Sequence, residues 1–137
     1  NAYLSSIPKT LDAWSEVATA SMSAIITAGN SILSYRNILI EGAVASAYPM
    51  NILGYAGLAT NARPELAALI GNTLAEESGF GLVWSCEKYV INCSLRSVGD
   101  FDVSDIAKHY GGGGHNNAAG FSIPIRYITS LTTGALY

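Results

Sequence analysis

The stretch GLVWSCEKYVINCSLR, residues 81 to 96, sets two apolar runs on either side of a charged pair, and its reading decides the fold. Gly81 to Cys86 and Tyr89 to Arg96 read as the two strands of a hairpin that turns at Glu87 and Lys88. In such a two-residue hairpin Cys86 faces Tyr89 and Cys93 faces Leu82, leaving the sulfurs roughly 13 Å apart along the ladder and excluding a disulfide. Free thiols fit a reducing compartment, so the spacing predicts a cytoplasmic protein. Cys86, Cys93, His109 and His115 also supply a zinc-like quartet in order. Zinc knuckles, however, hold their cysteines two to four residues apart on a tight turn, and a hairpin separates these, so buried free cysteines are the better reading.

Outward from the hairpin on the N-terminal side, Pro64 opens a helix whose Leu66, Ala67, Ile70 and Leu74 form a core face, and Gly79 ends it. Ile38 to Ala47 and Ile52 to Thr60 lack helical periodicity, flank turn residues at Tyr48 to Asn51, and are predicted as buried strands. Leu11, Trp14, Ala18, Met22, Ile25 and Ile32 recur at helical steps and predict one long helix, with Thr10 as cap and Asp12 at the positive end of its dipole. On the C-terminal side, Asp102 with Asp105 opens a short helix, Val103 to His109, with Ile106 and Tyr110 facing inward. Phe121 to Ile125 reads as a last strand and Arg126 to Leu131 as a final short helix. A hairpin inside an interleaved series of strands and helices predicts an α/β fold: a single domain with a mixed β-sheet flanked by helices.

A chain of 137 residues, half of them apolar, can bury one core. Ten acidic residues against seven basic ones, with no basic run, exclude a footprint on long duplex nucleic acid while leaving a short, locally gripped anion open. Two uncharged stretches, Val17 to Tyr35 and Gly42 to Ala62, approach the length of a membrane span. Ser21, Ser23, Asn30 and Ser31 interrupt the first; Pro49, Asn51, Gly54 and Gly57 break the second, so no membrane span is expected. The start at Asn1 suggests a fragment of a longer protein.

YGGGGHNNAAGF, residues 110 to 121, holds four consecutive glycines whose ordering costs conformational entropy. The run lies between a short helix and an apolar strand rather than between domains, so the glycines serve conformation or access and not a spacer. Bare backbone N–H groups can converge on an anion; on spacing alone a purely structural turn is the commoner reading, since glycine-rich loops are common.

The longer segment LRSVGDFDVSDIAKHYGGGGHNNAAGF, Leu95 to Phe121, resembles the signature of the DHH-associated domain, subfamily one, which follows the DHH domain in phosphoesterases of the oligoribonuclease and RecJ-like kind. ATNARPELAALIGNTLAE, from Ala59 to Glu76, and GFGLVWS, from Gly79 to Ser85, are similar to the preceding helix and strand of that family. The resemblance covers about Ile38 to Pro124. It implies a connector helix over residues 1–36 and the DHH-associated substrate-binding domain over residues 37–137.

The resemblance further implies that Gly112, Gly113 and Gly114 present backbone donors to a phosphate, that His115 hydrogen-bonds it, that Arg96 grips it in a forked pair, and that Asn61 is a polar contact at the same mouth. Each also has a plainer reading: Arg96 pairing with Asp100 or Asp102, Asn61 capping the Pro64 helix, and Asn116 and Asn117 capping their own turn. No catalytic residue and no metal ligand is expected in this chain, because there is no DHH triplet and too few aspartates and histidines for a two-metal centre. Two manganese or magnesium ions would sit in a DHH domain of the same full-length protein, and this chain alone would be inactive. The implied ligand is a short oligonucleotide or a phosphorylated nucleotide, and a homodimer is compatible with the family. Polyphosphate, pyrophosphate or a cyclic dinucleotide are alternatives within the family. A non-catalytic RNA-contact module like the C-terminal domain of alanyl-tRNA synthetases is the alternative outside it.

Overall fold

The computed structural model describes residues 2–137, in the order α1 (Ala2–Ser6), α2 (Leu11–Thr19), α3 (Met22–Ala45), β1 (Tyr48–Ile52), β2 (Tyr55–Asn61), α4 (Ala67–Ser78), β3 (Phe80–Glu87), β4 (Val90–Ser97), α5 (Val103–His109), β5 (Gly113–His115), β6 (Ala118–Pro124), α6 (Ile128–Thr132) and β7 (Ala135–Leu136). Two units are distinguished, Asn1–Glu41 and Gly42–Tyr137.

In the first unit Thr10 caps α2, its hydroxyl accepting from the Ala13 N–H at 3.4 Å, with Asp12 in the first turn. The single long helix expected from Leu11 through Ile32 is broken. Ala20 is extended at φ −72°, ψ 146°, and the Ser21 hydroxyl accepts from the Ala24 N–H at 3.3 Å, so Ser21 starts a new helix where the old one stops. Among the described residues no single helix is long and apolar enough to cross a membrane; α2 and α3 reach that length and composition only together, bent by 116°. The strand expected at Ile38 to Ala47 is the last part of α3. Ile38 is 63% exposed and Leu39 39% exposed, so this apolar run is not a buried strand, and local β preference yields to helix continuation.

The second unit is a seven-stranded mixed sheet in the order β5-β6-β4-β3-β2-β1-β7. β2 and β3 run parallel through the α4 crossover, β1 and β7 run parallel, and the other neighbours are antiparallel. The turn expected at Tyr48 to Asn51 is instead β1 itself. The chain reverses at Leu53 and Gly54, both left-handed at φ 53° and 88°, and the Asn51 side chain accepts the Gly54 N–H at 3.0 Å. Pro64–Leu66 forms a 3-10 turn leading into α4, and Gly79 at φ 88° closes that helix, as its sequence predicts.

The β3–β4 hairpin turns one residue later than expected, at Lys88 and Tyr89, with Lys88 left-handed at φ 55°. Cys86 therefore faces Ile91 and Cys93 faces Trp84. A displacement by two ladder places keeps every side chain on its face, so either register buries the same core residues. The two cysteines are now only about 7 Å apart along the ladder. They are free nonetheless, Cys86 exposed and Cys93 buried.

The glycine run is not wholly a loop, because Gly113–His115 is edge strand β5, paired with the start of β6. β6 itself begins at Ala118, before the predicted Phe121. One face of the sheet carries the main core, including Phe80, Leu82, Trp84, Leu95, Phe121 and Ile123, packed with Val103 and Ile106 of α5 and Leu131 of α6. α4 lies on the other face with Ile70 and Leu74 buried. Gly81 and Gly71 let it come close, since a Cβ on Gly81 would collide with the Gly71 carbonyl oxygen.

Candidate anion-binding face

Arg96 on β4 is opposite Ala118 on β6, and Ala118 is opposite His115 on β5. Directly opposed residues project from the same face, so Arg96 and His115 share one side of the sheet, two strand spacings or about 10 Å apart. The next row on that face is Ser94, Gly120 and Gly113. All six residues are half-buried or exposed, so this part of the face is open.

Arg96 is held by α4, which packs on the same face of the sheet. A Cβ on Gly71 would lie 2.9 Å from the Arg96 Cγ, so the bare helix turn is what admits the arginine stem. Its Nη1 donates to the Leu95 carbonyl at 2.8 Å, which fixes one edge of the guanidinium and leaves further donors for a ligand. The ion pairs among the described residues are Arg63 with Glu65 and Lys108 with Asp105, so the pairing of Arg96 with Asp100 or Asp102 considered above does not form.

The four glycines separate by role. Gly111, at φ 77°, and Gly112 close α5, their N–H groups donating to the Lys108 and Ala107 carbonyls at 3.0 and 2.8 Å. The donor expected from Gly112 is thus consumed by the helix end, a correction to the three-glycine cradle. A Cβ on Gly112 would also strike the Gly120 carbonyl, and one on Gly114, at φ 147°, would press into Ala118 and Ala119. Gly113 is different: its φ is outside the left-handed region and nothing lies within 4 Å of where its Cβ would be. Neither conformation nor packing requires glycine there. Because N–H groups alternate in direction along a strand, edge strand β5 also turns part of its backbone away from β6 toward solvent.

Asn61 stands apart from this group. It is opposite Trp84, three places along β3 from the Gly81 that faces Arg96, and its Nδ2 donates to the Trp84 carbonyl at 2.9 Å. It ties the end of β2 to β3 rather than capping a helix; the residue before the Pro64 turn is Arg63, with no side-chain cap bond.

Asn116 and Asn117 do more than cap their turn. The Asn116 carbonyl accepts the Val103 N–H at 2.8 Å, and the Asn117 Nδ2 donates to the Ser97 hydroxyl and to the Gly99 carbonyl, each at 3.0 Å. The buried Ser97 hydroxyl in turn donates to the Phe101 carbonyl at 2.6 Å. These bonds fasten the β5–β6 hairpin, and with it His115, to the β4–α5 connection. Sequence reasoning passed over Ser97 and Gly71; a serine ending a strand and a glycine inside a helix were the available signals.

The α5 side of the unit has the opposite character. A groove of about 520 Å³ is lined there by Asp100, Asp102, Asp105, His109, Tyr55 and Phe101 among others, and its three carboxylates make it a poor setting for an anion. Hydrogen bonds from Ser104 hold the Asp102 carboxyl below its ordinary range. Among the described residues no group of three or more histidine, cysteine or acidic side chains comes together to hold a metal ion. Beneath the sheet, burial pushes the Cys93 thiol up to about 12, which leaves it an unreactive core residue.

Comparison with known proteins bears on the family and the fold. The DHHA1 domain model matches residues 52–132. An uncharacterized protein of Acanthamoeba polyphaga mimivirus is 43% identical over 65 residues, covering 43% of this chain and 15% of that protein. A pGpG-specific phosphodiesterase from Vibrio cholerae superposes with a TM-score of 0.53 at 14% identity, over 87% of this chain and 45% of that one. An exopolyphosphatase-related protein from Bacteroides fragilis gives 0.51 at 18% identity, over 82% of this chain and 38% of that one. The chain thus spans less than half the length of each of these proteins.

Proposed function

Because the chain belongs to the DHHA1 domain family, matched from Ile52 through Thr132, we propose that it is the substrate-binding part of a DHH-type phosphoesterase of the oligoribonuclease or RecJ-like kind, holding the phosphorylated end of a short oligoribonucleotide or related nucleotide. The observation that carries this reading is the row formed by Arg96, Ala118 and His115, with Gly113 bare beside it. A guanidinium offers a forked pair of donors to phosphate, an imidazole adds a donor, and the edge of β5 adds backbone N–H groups. Two proteins of similar fold carry names that refer to pGpG and to exopolyphosphatase, and this supports a phosphorylated substrate.

Binding would serve catalysis by orientation: holding the terminus fixes where the scissile bond lies. The metal chemistry belongs to the DHH domain of the full-length protein, where two manganese or magnesium ions would activate water. Among the described residues of this chain no three histidine, cysteine or acidic side chains come together as a metal site would need. Residues 1–36 would form the connector to that domain.

Titration with a 5′-phosphorylated dinucleotide, followed by amide resonances, tests the reading. Gly113, Gly114 and His115 shift if the face binds phosphate; resonances that stay in place at saturating ligand refute it.

A further inference from the structure

The face that carries Arg96 continues along β4 and ends in a concavity that phosphate binding does not use. Moving away from Arg96, the residues of β4 on this side are Ser94, Asn92 and Val90. Gly120 and Ser122 accompany them on β6, and the Ser122 hydroxyl donates to the Asn92 Oδ1 at 2.8 Å. At the far end Glu87, Lys88, Tyr89, Val90 and Asn92 line a depression of about 390 Å³. Tyr89 is 81% exposed and Val90 41% exposed, a large solvent-facing apolar surface at a hairpin tip.

We propose that this depression is a nucleobase subsite, and that an oligonucleotide held at Arg96 and His115 by its terminal phosphate runs along β4 to stack a downstream base on Tyr89. The inference rests on the phosphate-binding reading above. Three supports come from the chemistry of the track. The exposed phenol ring is the kind of platform on which any base can stack, and Asn92 beside it presents an amide able to pair with a base edge. Between Arg96 and Lys88 the track on β4 carries only Ser94 and Asn92 as polar side chains, so a polyphosphate would cross it without charge compensation. A nucleotide chain can instead turn its phosphates to water and its sugars and base edges to these donors and acceptors.

The span also fixes a length. Three same-face steps along a strand separate Arg96 from Val90, about 20 Å. With a stacked rise of about 3.4 Å per nucleotide, roughly six nucleotides bridge it, whereas a dinucleotide does not.

Affinities of a 5′-phosphorylated hexanucleotide and a 5′-phosphorylated dinucleotide are measured for the unaltered chain and for Tyr89→Ala, Tyr89→Phe and Arg96→Ala. The hexanucleotide binds more tightly than the dinucleotide; Tyr89→Ala weakens it about fivefold or more, Tyr89→Phe restores it, and the dinucleotide is indifferent to both. Arg96→Ala weakens both ligands. If Arg96→Ala acts on both but Tyr89→Ala leaves the hexanucleotide unchanged, the base subsite is overturned and the phosphate site stands. If Arg96→Ala affects neither, both are overturned.

Discussion

Arg96 and His115 flank Ala118 from neighbouring strands, in one row and on one face, although 19 residues of chain separate them. On the proposed reading, a forked guanidinium and an imidazole placed so share one anion or two groups of one ligand. Arg96→Lys keeps the charge and loses the fork, so affinity for a 5′-phosphorylated dinucleotide is expected to fall by about 1–3 kcal/mol, read by calorimetry. Unchanged affinity would make the residue a surface charge.

Gly112 and Gly113 are adjacent and predicted to behave oppositely. Gly112→Ala forces a methyl onto the Gly120 carbonyl and should lower the melting temperature markedly. Gly113→Ala meets no neighbour within 4 Å, leaves the melting temperature unchanged or raised, and weakens phosphate binding by filling the open space. Equal loss of stability in both variants would contradict the division of roles.

Asn117 is expected to matter without touching ligand. Asn117→Ala strands the Ser97 hydroxyl and the Gly99 carbonyl and should cost about 1–3 kcal/mol in chemical denaturation. A loss below the error of the measurement would mean that water replaces the amide.

Alkaline pH should weaken the fold. The buried Cys93 thiol is raised from 9.0 to about 12, so the folded state holds its proton where the unfolded chain releases it. That contribution is fully present below pH 9, falls as pH rises, and is gone above the folded value. Burial also raises Tyr48 and Tyr110 above 10.0, extending the decline at its upper end. Cys93→Ala should flatten the stability profile between about pH 9 and 12 by an amount on the order of a few kcal/mol; a profile of unchanged slope would assign the decline elsewhere.

The sequence announced most strongly the elements that carry their own boundary chemistry. Pro64 and Gly79 frame α4, and Asp102 caps α5 by accepting the Ser104 N–H at 2.7 Å. Position along the sheet was harder. Glu87 and Lys88 look like turn residues, but the reversal uses Lys88 and Tyr89, and nothing local distinguishes the two registers. The run from Ile38 is broken only by Glu41 and Ser46, too few polar residues to mark out a helical period. β5 was hidden for another reason: glycine has little strand preference, and Gly113–His115 is extended only because β6 pairs with it.

The candidate site was legible as residue types and only partly as geometry. The glycine–histidine run and Arg96 stood out, and the ladder brings Gly113, His115 and Arg96 to one face. Asn61 could not be excluded before strand order was known, because its distance from that face depends on the β2–β3 pairing. Gly71 was equally invisible, since its reason is the arginine stem of another strand.

The brevity of β5 has a further consequence. Its three residues leave too little exposed ladder for a second polypeptide to zip onto the sheet, and the glycines offer such an intruder no side chains to grip. That stretch of border is thereby guarded against fibrillar growth.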